Sequence, residues 1–249
     1  MNSDTPGTGG TPGKSQSFAR SPIVTFIVGP EKAVYTAHKA VVIDKCPFVA
    51  KCLAAGMVES TTYTIEFPED EPAAFDQFIS WIYRCDVDEI EKGDTNKLIN
   101  VLMAWVLADK LCMPAWQNES IDQAMAYWTT NFMEPEVVSW ATDHLSNTSL
   151  LFSLIVDQFA WDVMDVPGMY TNESDDSVES TQRLEIVKGL FMRPDFPSIR
   201  LFRQAVQTAL DFVSLDRPKE PASDNTCKYH VHEAGKTCES DTEEKGATR

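Results

Sequence analysis

Two thiols and two imidazoles fall within twelve residues near the C-terminus, in Cys227-Lys-Tyr-His230-Val-His232-Glu-Ala-Gly-Lys-Thr-Cys238. Thiolate sulfur and imidazole nitrogen are the donors a tetrahedral zinc ion takes, and four of them make a complete set. In an extended strand His230 and His232 point to the same face, and Gly235 permits a turn that returns Cys238. The spacing matches no standard zinc module, and the flanks are poor in apolar side chains. A bound ion would therefore have to supply the folding energy of its own site. Incidental Cys and His in a disordered polar tail are the simpler reading. No residue is assigned to a metal or a cofactor on the sequence alone.

A second pairing, His38-Lys39, invites a catalytic reading. A catalytic triad needs three convergent groups. No Ser or Cys arrangement stands near this His, and the chain holds only four histidines: His38, His144, His230 and His232. A partly buried structural His bonded to backbone is the expectation, and no catalytic residue is assigned. The rival reading from another class is a hydrolase or metal-dependent enzyme built on the Cys/His tail.

The elements that must position these groups follow from hydrophobic period. Ile23-Val24-Thr25-Phe26-Ile27-Val28 reads as a strand ending at Gly29-Pro30, and Ala33-Val34-Tyr35-Thr36 as a second extended piece. A Cys46-Pro47-Phe48 turn, an apolar helical stretch to Met57 and a strand at Tyr63 to Phe67 come next. Asp70 suits an N-cap and Pro72 a first helical turn. Phe75, Phe78, Ile79 and Ile82 then recur at i, i+3, i+4 and i+7, one buried stripe. After a charged loop, a helix over 95–111 buries Leu98, Leu102, Trp105 and Ala108. Ser120 is expected to start another, with Ile121, Ala124, Met125 and Trp128 on one face.

Glu134-Pro135 opens a helix burying Val137, Val138 and Ala141, and Ser149 caps one reaching Trp161 through Leu151, Leu154, Ile155 and Phe159. Residues 166–181 are acidic and Ser-rich, an expected mobile loop, followed by helical stretches over 183–191 and 198–215. Residues 1–20 read as a disordered leader and 216–249 as a polar tail. The six tryptophans Trp81, Trp105, Trp116, Trp128, Trp140 and Trp161 sit at helical spacing and are taken as core.

Composition limits the function classes. The 249 residues are 43% hydrophobic with 13 Phe, enough for a sizeable core. The 38 acidic against 21 basic residues leave a formal charge of -17, which repels phosphate backbones. Nucleic-acid and anionic-membrane binding are thus disfavoured. No window approaches the ~18 consecutive apolar residues of a membrane span, and no signal-peptide pattern opens the chain. Cys46, Cys52, Cys85, Cys112, Cys227 and Cys238 form no dense framework and read as reduced thiols in cytoplasm or nucleus. In that setting the sequons at Asn118, Asn147 and Asn172 are accidental.

The order of these pieces resembles the BTB (POZ) domain, in the form common in fungal BTB proteins. The residues that carry the likeness are Tyr35-x-x-His38-Lys39, Pro47-Phe48, Met57-x-Glu59, Ile65-x-Phe67, Asp70-x-Pro72 and Phe75 with Phe78-Ile79-x-Trp81-Ile82-Tyr83. It covers about half of the chain. The resemblance implies an α+β fold, a helical cluster with a short sheet, over residues 21–130. An all-helical extension over 131–215 follows. It further implies a protein–protein interaction module and no enzyme.

In BTB proteins that recruit a cullin scaffold, a hydrophobic-x-Glu step follows the same helix and precedes the same strand. Met57 and Glu59 match it, so the resemblance makes them the partner-binding residues. A flexible thioether fills an apolar groove, while the carboxylate orients the loop or accepts a hydrogen bond. The bland alternative is a helix end with one core Met and one solvated Glu. The functional expectation is an adaptor or substrate-receptor subunit of a cullin-RING ubiquitin ligase. A non-ligase scaffold or transcriptional co-regulator is the alternative. With only the expected disordered leader before Ile23, the exchanged N-terminal element of dimeric BTB domains is not expected here, and Ile23 stands where an Asp commonly opens the first strand. The usual homodimer is therefore in doubt, and a different dimer through an apolar face of the first helices stays open.

Overall fold

In the computed structural model, the described residues are 18–84, 86–87, 89–165, 203, 206–207, 220–223, 227–232 and 238. The acidic stretch 166–181, the helices expected over 183–191 and 198–215 as continuous elements, and residues 1–17 of the leader lie outside them. Among the described residues the architecture is mixed α+β.

A three-stranded sheet has the order β2-β1-β3, with β1 (Ile23–Val28) central, β2 (Ala33–His38) and β3 (Thr64–Phe67) at its edges. β1 runs antiparallel to β2, from Ile23 opposite His38 to Val28 opposite Ala33. It runs parallel to β3, with Phe26 opposite Ile65. Strict alternation puts Val24, Phe26 and Val28 on one face, all fully buried. At the β1–β2 turn Gly29 has φ 72°, and a Cβ there would lie 3.3 Å from the Asp70 carbonyl oxygen, so a side chain would be both strained and crowded.

A parallel pair needs a long crossover. Here it consists of α1 (Lys39–Lys45), α2 (Pro47–Ala54) and the short α3 (Val58–Thr62). The expected Cys46-Pro47-Phe48 turn is the junction of α1 and α2, where Pro47 takes the first helical turn because it has no N–H to leave unpaired. α3 was not expected: Ser, Thr and a single Val give it no apolar stripe.

α4 (Pro72–Arg84) buries Phe75, Phe78 and Ile82 as the periodicity predicts. Phe26, Phe67, Phe75 and Phe78 form one aromatic nest, with Phe67 and Phe75 ring centroids 4.9 Å apart and Phe26 edge-on to Phe78 at 5.7 Å. The expected cap at Asp70 needs correction. The Glu71 carbonyl accepts the first-turn bonds from Ala74 and Phe75, while the Asp70 carboxylate pairs with Lys110 Nζ at 2.6 Å. A cation on α5 outcompetes the local N–H groups for that carboxylate.

α5 (Thr95–Lys110) is capped by Asp94, whose side chain accepts from the Lys97 N–H at 2.9 Å. It ends in a complete Schellman motif: the Met113 N–H bonds the Ala108 carbonyl and the Cys112 N–H that of Asp109, with Cys112 left-handed at φ 57°. α6 runs over Pro114–Trp128 and so begins six residues before the expected start at Ser120. The Ser120 hydroxyl is buried inside it, donating to the Trp116 carbonyl at 2.9 Å rather than capping. The true start is Pro114 at the N-terminal turn, which draws Trp116 into the core.

α7 (Pro135–His144) buries Val137, Val138 and Ala141, and α8 (Leu150–Asp165) continues past the expected Trp161. Ser149 caps α8, its hydroxyl accepting from the Phe152 N–H at 3.1 Å.

Two hydrophobic clusters share α5. Val101, Ala104, Leu107 and Leu111 pack with the sheet and α4, while Leu98, Leu102 and Trp105 pack with α6, α7 and α8. Trp81, Trp105, Trp116, Trp128 and Trp140 are buried as expected, and Trp161 is half-buried. The tail is not featureless. Short 3-10 turns at Pro221–Ser223 and Cys227–Tyr229 lie against the second cluster, to which Ala222 and Tyr229 belong. Leader residues Phe18–Arg20 likewise form a 3-10 turn. Among the described residues no helix is long and apolar enough to cross a membrane.

Candidate functional site

Met57 and Glu59 sit where the sequence puts them, between α2 and β3, with Met57 at the N-cap of α3. The Met57 side chain is 63% exposed and Val58 72%, so neither is the core residue of the bland reading. The loop beneath them is tied down. Ser60 bonds back to the Met57 carbonyl through its N–H at 3.0 Å and its hydroxyl at 2.6 Å. Thr61 and Thr62 hydroxyls both donate to the Val58 carbonyl. Tyr63 ends α3 with a left-handed backbone, φ 53°, and its N–H returns to the Glu59 carbonyl at 2.9 Å. Glu59 is half-buried and faces Cys52. Burial first, then the Glu59 charge, push the Cys52 thiol above its ordinary range. The result is a rigid turn presenting two adjacent apolar side chains beside one carboxylate.

His38 ends β2 and is the N-cap residue of α1. Its Nδ1 lies 2.7 Å from the Tyr83 hydroxyl oxygen, which also accepts from the His38 N–H at 3.0 Å. The partner of the ring is thus a phenol rather than the expected backbone.

The C-terminal Cys and His residues come together in the structure. Cys227, His230, His232 and Cys238 each offer one ligand atom, and these four atoms all lie within 4.8 Å of one another. Cys238 Sγ is 2.9 Å from His230 Nδ1 and 3.4 Å from His232 Nε2, and the Cys238 N–H points at Cys227 Sγ at 3.1 Å. All four residues are half-buried. The two rings lie edge to face at 6.0 Å between centroids.

What holds this cluster is the helical core. His230 Nε2 meets Asp122 Oδ1 of α6 at 2.9 Å. Asn118, one turn earlier on α6, brackets the intervening residue: its Oδ1 accepts from the Val231 N–H at 2.7 Å and its Nδ2 donates to the Val231 carbonyl at 3.1 Å. Asp157 of α8 accepts from Lys228 Nζ at 2.6 Å and from the Tyr229 hydroxyl at 2.7 Å. Asn118, Asp122 and Asp157 escaped the sequence reading, because separations such as the 113 residues from Asn118 to Val231 carry no local periodic signal.

No protein-family model matches this chain, and no curated protein matches it.

Proposed function

We infer that the chain is a protein–protein interaction module of the BTB type, acting as an adaptor or substrate-receptor subunit of a cullin-RING ubiquitin ligase in cytoplasm or nucleus. One observation carries the reading: Met57 and Val58 stand 63% and 72% exposed on a turn fixed by its own hydrogen bonds, with Glu59 beside them. A turn whose backbone is already fixed loses little backbone freedom on binding, so an exposed apolar anchor on it keeps more of its burial energy. The sequence of elements from β1 to α6 and the parallel β1–β3 pair also accord with the residues that resemble BTB domains. The acidic surface, -17 overall, favours basic partner faces by charge complementarity. The alternative within the same class is a scaffold or transcriptional co-regulator that uses the same turn on another protein. A homodimer would draw on exposed apolar residues of the first elements, such as Ile43 at 43% and Ile23 at 47% exposure.

The test is a pull-down of cullin scaffolds by the wild-type chain and by Met57→Ala/Glu59→Ala. Loss of a hot-spot anchor costs about 2–4 kcal/mol, roughly 30- to 1000-fold in affinity. Capture by wild type and not by the double variant is expected. Equal capture, or none by either, removes the ligase reading. Affinity purification with mass spectrometry then separates it from the scaffold alternative.

A further inference from the structure

We propose that Cys227, His230, His232 and Cys238 bind one zinc ion in a closed, structural Cys2His2 site that pins the C-terminal segment to α6 and α8. The donor set is the one that zinc prefers, two thiolates and two neutral imidazoles. Bond lengths of about 2.3 Å to sulfur and about 2.0–2.1 Å to nitrogen put tetrahedral neighbours about 3.4–3.8 Å apart. The ligand atoms here all lie within 4.8 Å, and Cys238 Sγ stands 2.9 and 3.4 Å from the two imidazole nitrogens, so side-chain shifts on the order of an ångström close the tetrahedron.

The surroundings carry the second, independent argument. A metal-bound imidazole ordinarily gives its other ring N–H to a carboxylate, which fixes the tautomer and raises the basicity of the ligating nitrogen. His230 is arranged this way: Nε2 faces Asp122 at 2.9 Å and Nδ1 faces the cluster. Asn118 clamps the peptide between the two histidines, and buried Tyr229 anchors the turn that carries Cys227. These contacts preorganise three of the four ligands before any ion arrives. They also remove the objection that a polar tail must supply its whole folding energy from the metal.

A catalytic zinc keeps one coordination position open for water or substrate, whereas four protein donors fill the sphere. The site is therefore a staple, not a reaction centre. A two-iron cluster with the same residue types would separate its thiolate pair from its imidazole pair across two irons. Here Cys238 Sγ approaches both imidazoles, which favours a single ion. The proposal is independent of the Met57 surface, so either can fail without the other.

The experiment uses the full chain, purified without a polyhistidine tag, with metals measured by mass spectrometry. About one zinc per chain is expected in wild type and in Cys112→Ser, whose thiol lies outside the set. Cys238→Ser and His232→Ala should fall below ~0.1 zinc per chain. Cobalt(II) added to metal-stripped wild type should give the strong visible bands of a tetrahedral ion and sulfur-to-cobalt charge transfer. Asp122→Asn leaves all four ligands in place and should weaken zinc 10- to 100-fold in chelator competition. Wild type without zinc, iron with sulfide in its place, a Cys227–Cys238 disulfide in freshly reduced protein, or undiminished zinc in Cys238→Ser would each overturn the proposal. Should the ligand variants fail to fold, the wild-type stoichiometry and cobalt spectrum still decide.

Discussion

Replacing Gln158 by Leu tests how the C-terminal segment is held to the helical core. Gln158 and Asp162 are buried, at 0% and 1% exposure, on successive turns of α8. Gln158 Oε1 accepts from the Ala222 N–H at 2.9 Å, and its Nε2 donates to Asp162 Oδ1 at 2.8 Å. Asp162 Oδ2 in turn accepts from the Met133 N–H at 2.6 Å, at the entry to α7. One relay thus joins the α6–α7 connection, α8 and the tail. Leu has nearly the same bulk but strips Ala222 of an acceptor and Asp162 of a donor. A buried N–H left unpaired costs about 1–3 kcal/mol, and a lost bond to a charged group about 1.5–3 kcal/mol. The extra apolar burial of Leu offsets part of this, roughly 1–2 kcal/mol.

A net loss centred on about 3 kcal/mol remains for Gln158→Leu. With a urea slope of about 2 kcal/mol/M, the midpoint followed by tryptophan fluorescence should drop by about 1–2 M. Amide exchange at Ala222 should accelerate more than exchange in β1. If packing alone held this region, Leu would be neutral or stabilising. A midpoint unchanged within ~0.3 M would refute the relay.

Two further predictions concern titratable groups. Cys46 is fully buried and its thiol, close to the Leu111 carbonyl, is pushed up to about 11 by burial, whereas Cys112 is exposed. Iodoacetamide near neutral pH should label Cys112 in the native chain and reach Cys46 only after denaturant; early labelling of Cys46 would refute its burial. Tyr127 is pushed up to about 12, first by burial and then by its hydrogen bond to Glu134 and that carboxylate's charge. The folded state favours the protonated phenol, so its contribution to stability is complete below the unfolded value of about 10 and disappears as pH rises through about 12. Tyrosinate absorbance of wild type minus Tyr127→Phe should stay flat to about pH 11, and a difference signal rising near pH 10 would contradict this.

Strands, helices and the aromatic stripe of α4 were legible because each is a local pattern. Alternating Val24, Phe26 and Val28, and Phe75, Phe78 and Ile82 at helical spacing, announce their own buried faces. Local chemistry misled at two positions. Asp70 turned to Lys110 on α5, and Ser120 proved to be the interior of a helix begun at Pro114. α3 stayed hidden because it buries no residue fully.

By itself the sequence determined the α+β character, the order of elements through α8 apart from α3, and the position of the Met57–Glu59 step, since period and capping act within a few residues. Only the tertiary structure decided that α5 serves two cores, that Met57 and Val58 face solvent, and that the Cys/His tail closes on itself against Asn118, Asp122 and Asp157. The first rests on apolar packing between helices, the second on a turn bonded within itself, and the third on hydrogen bonds between residues far apart in the chain, such as Asn118 and Val231, which become neighbours only after the helices pack.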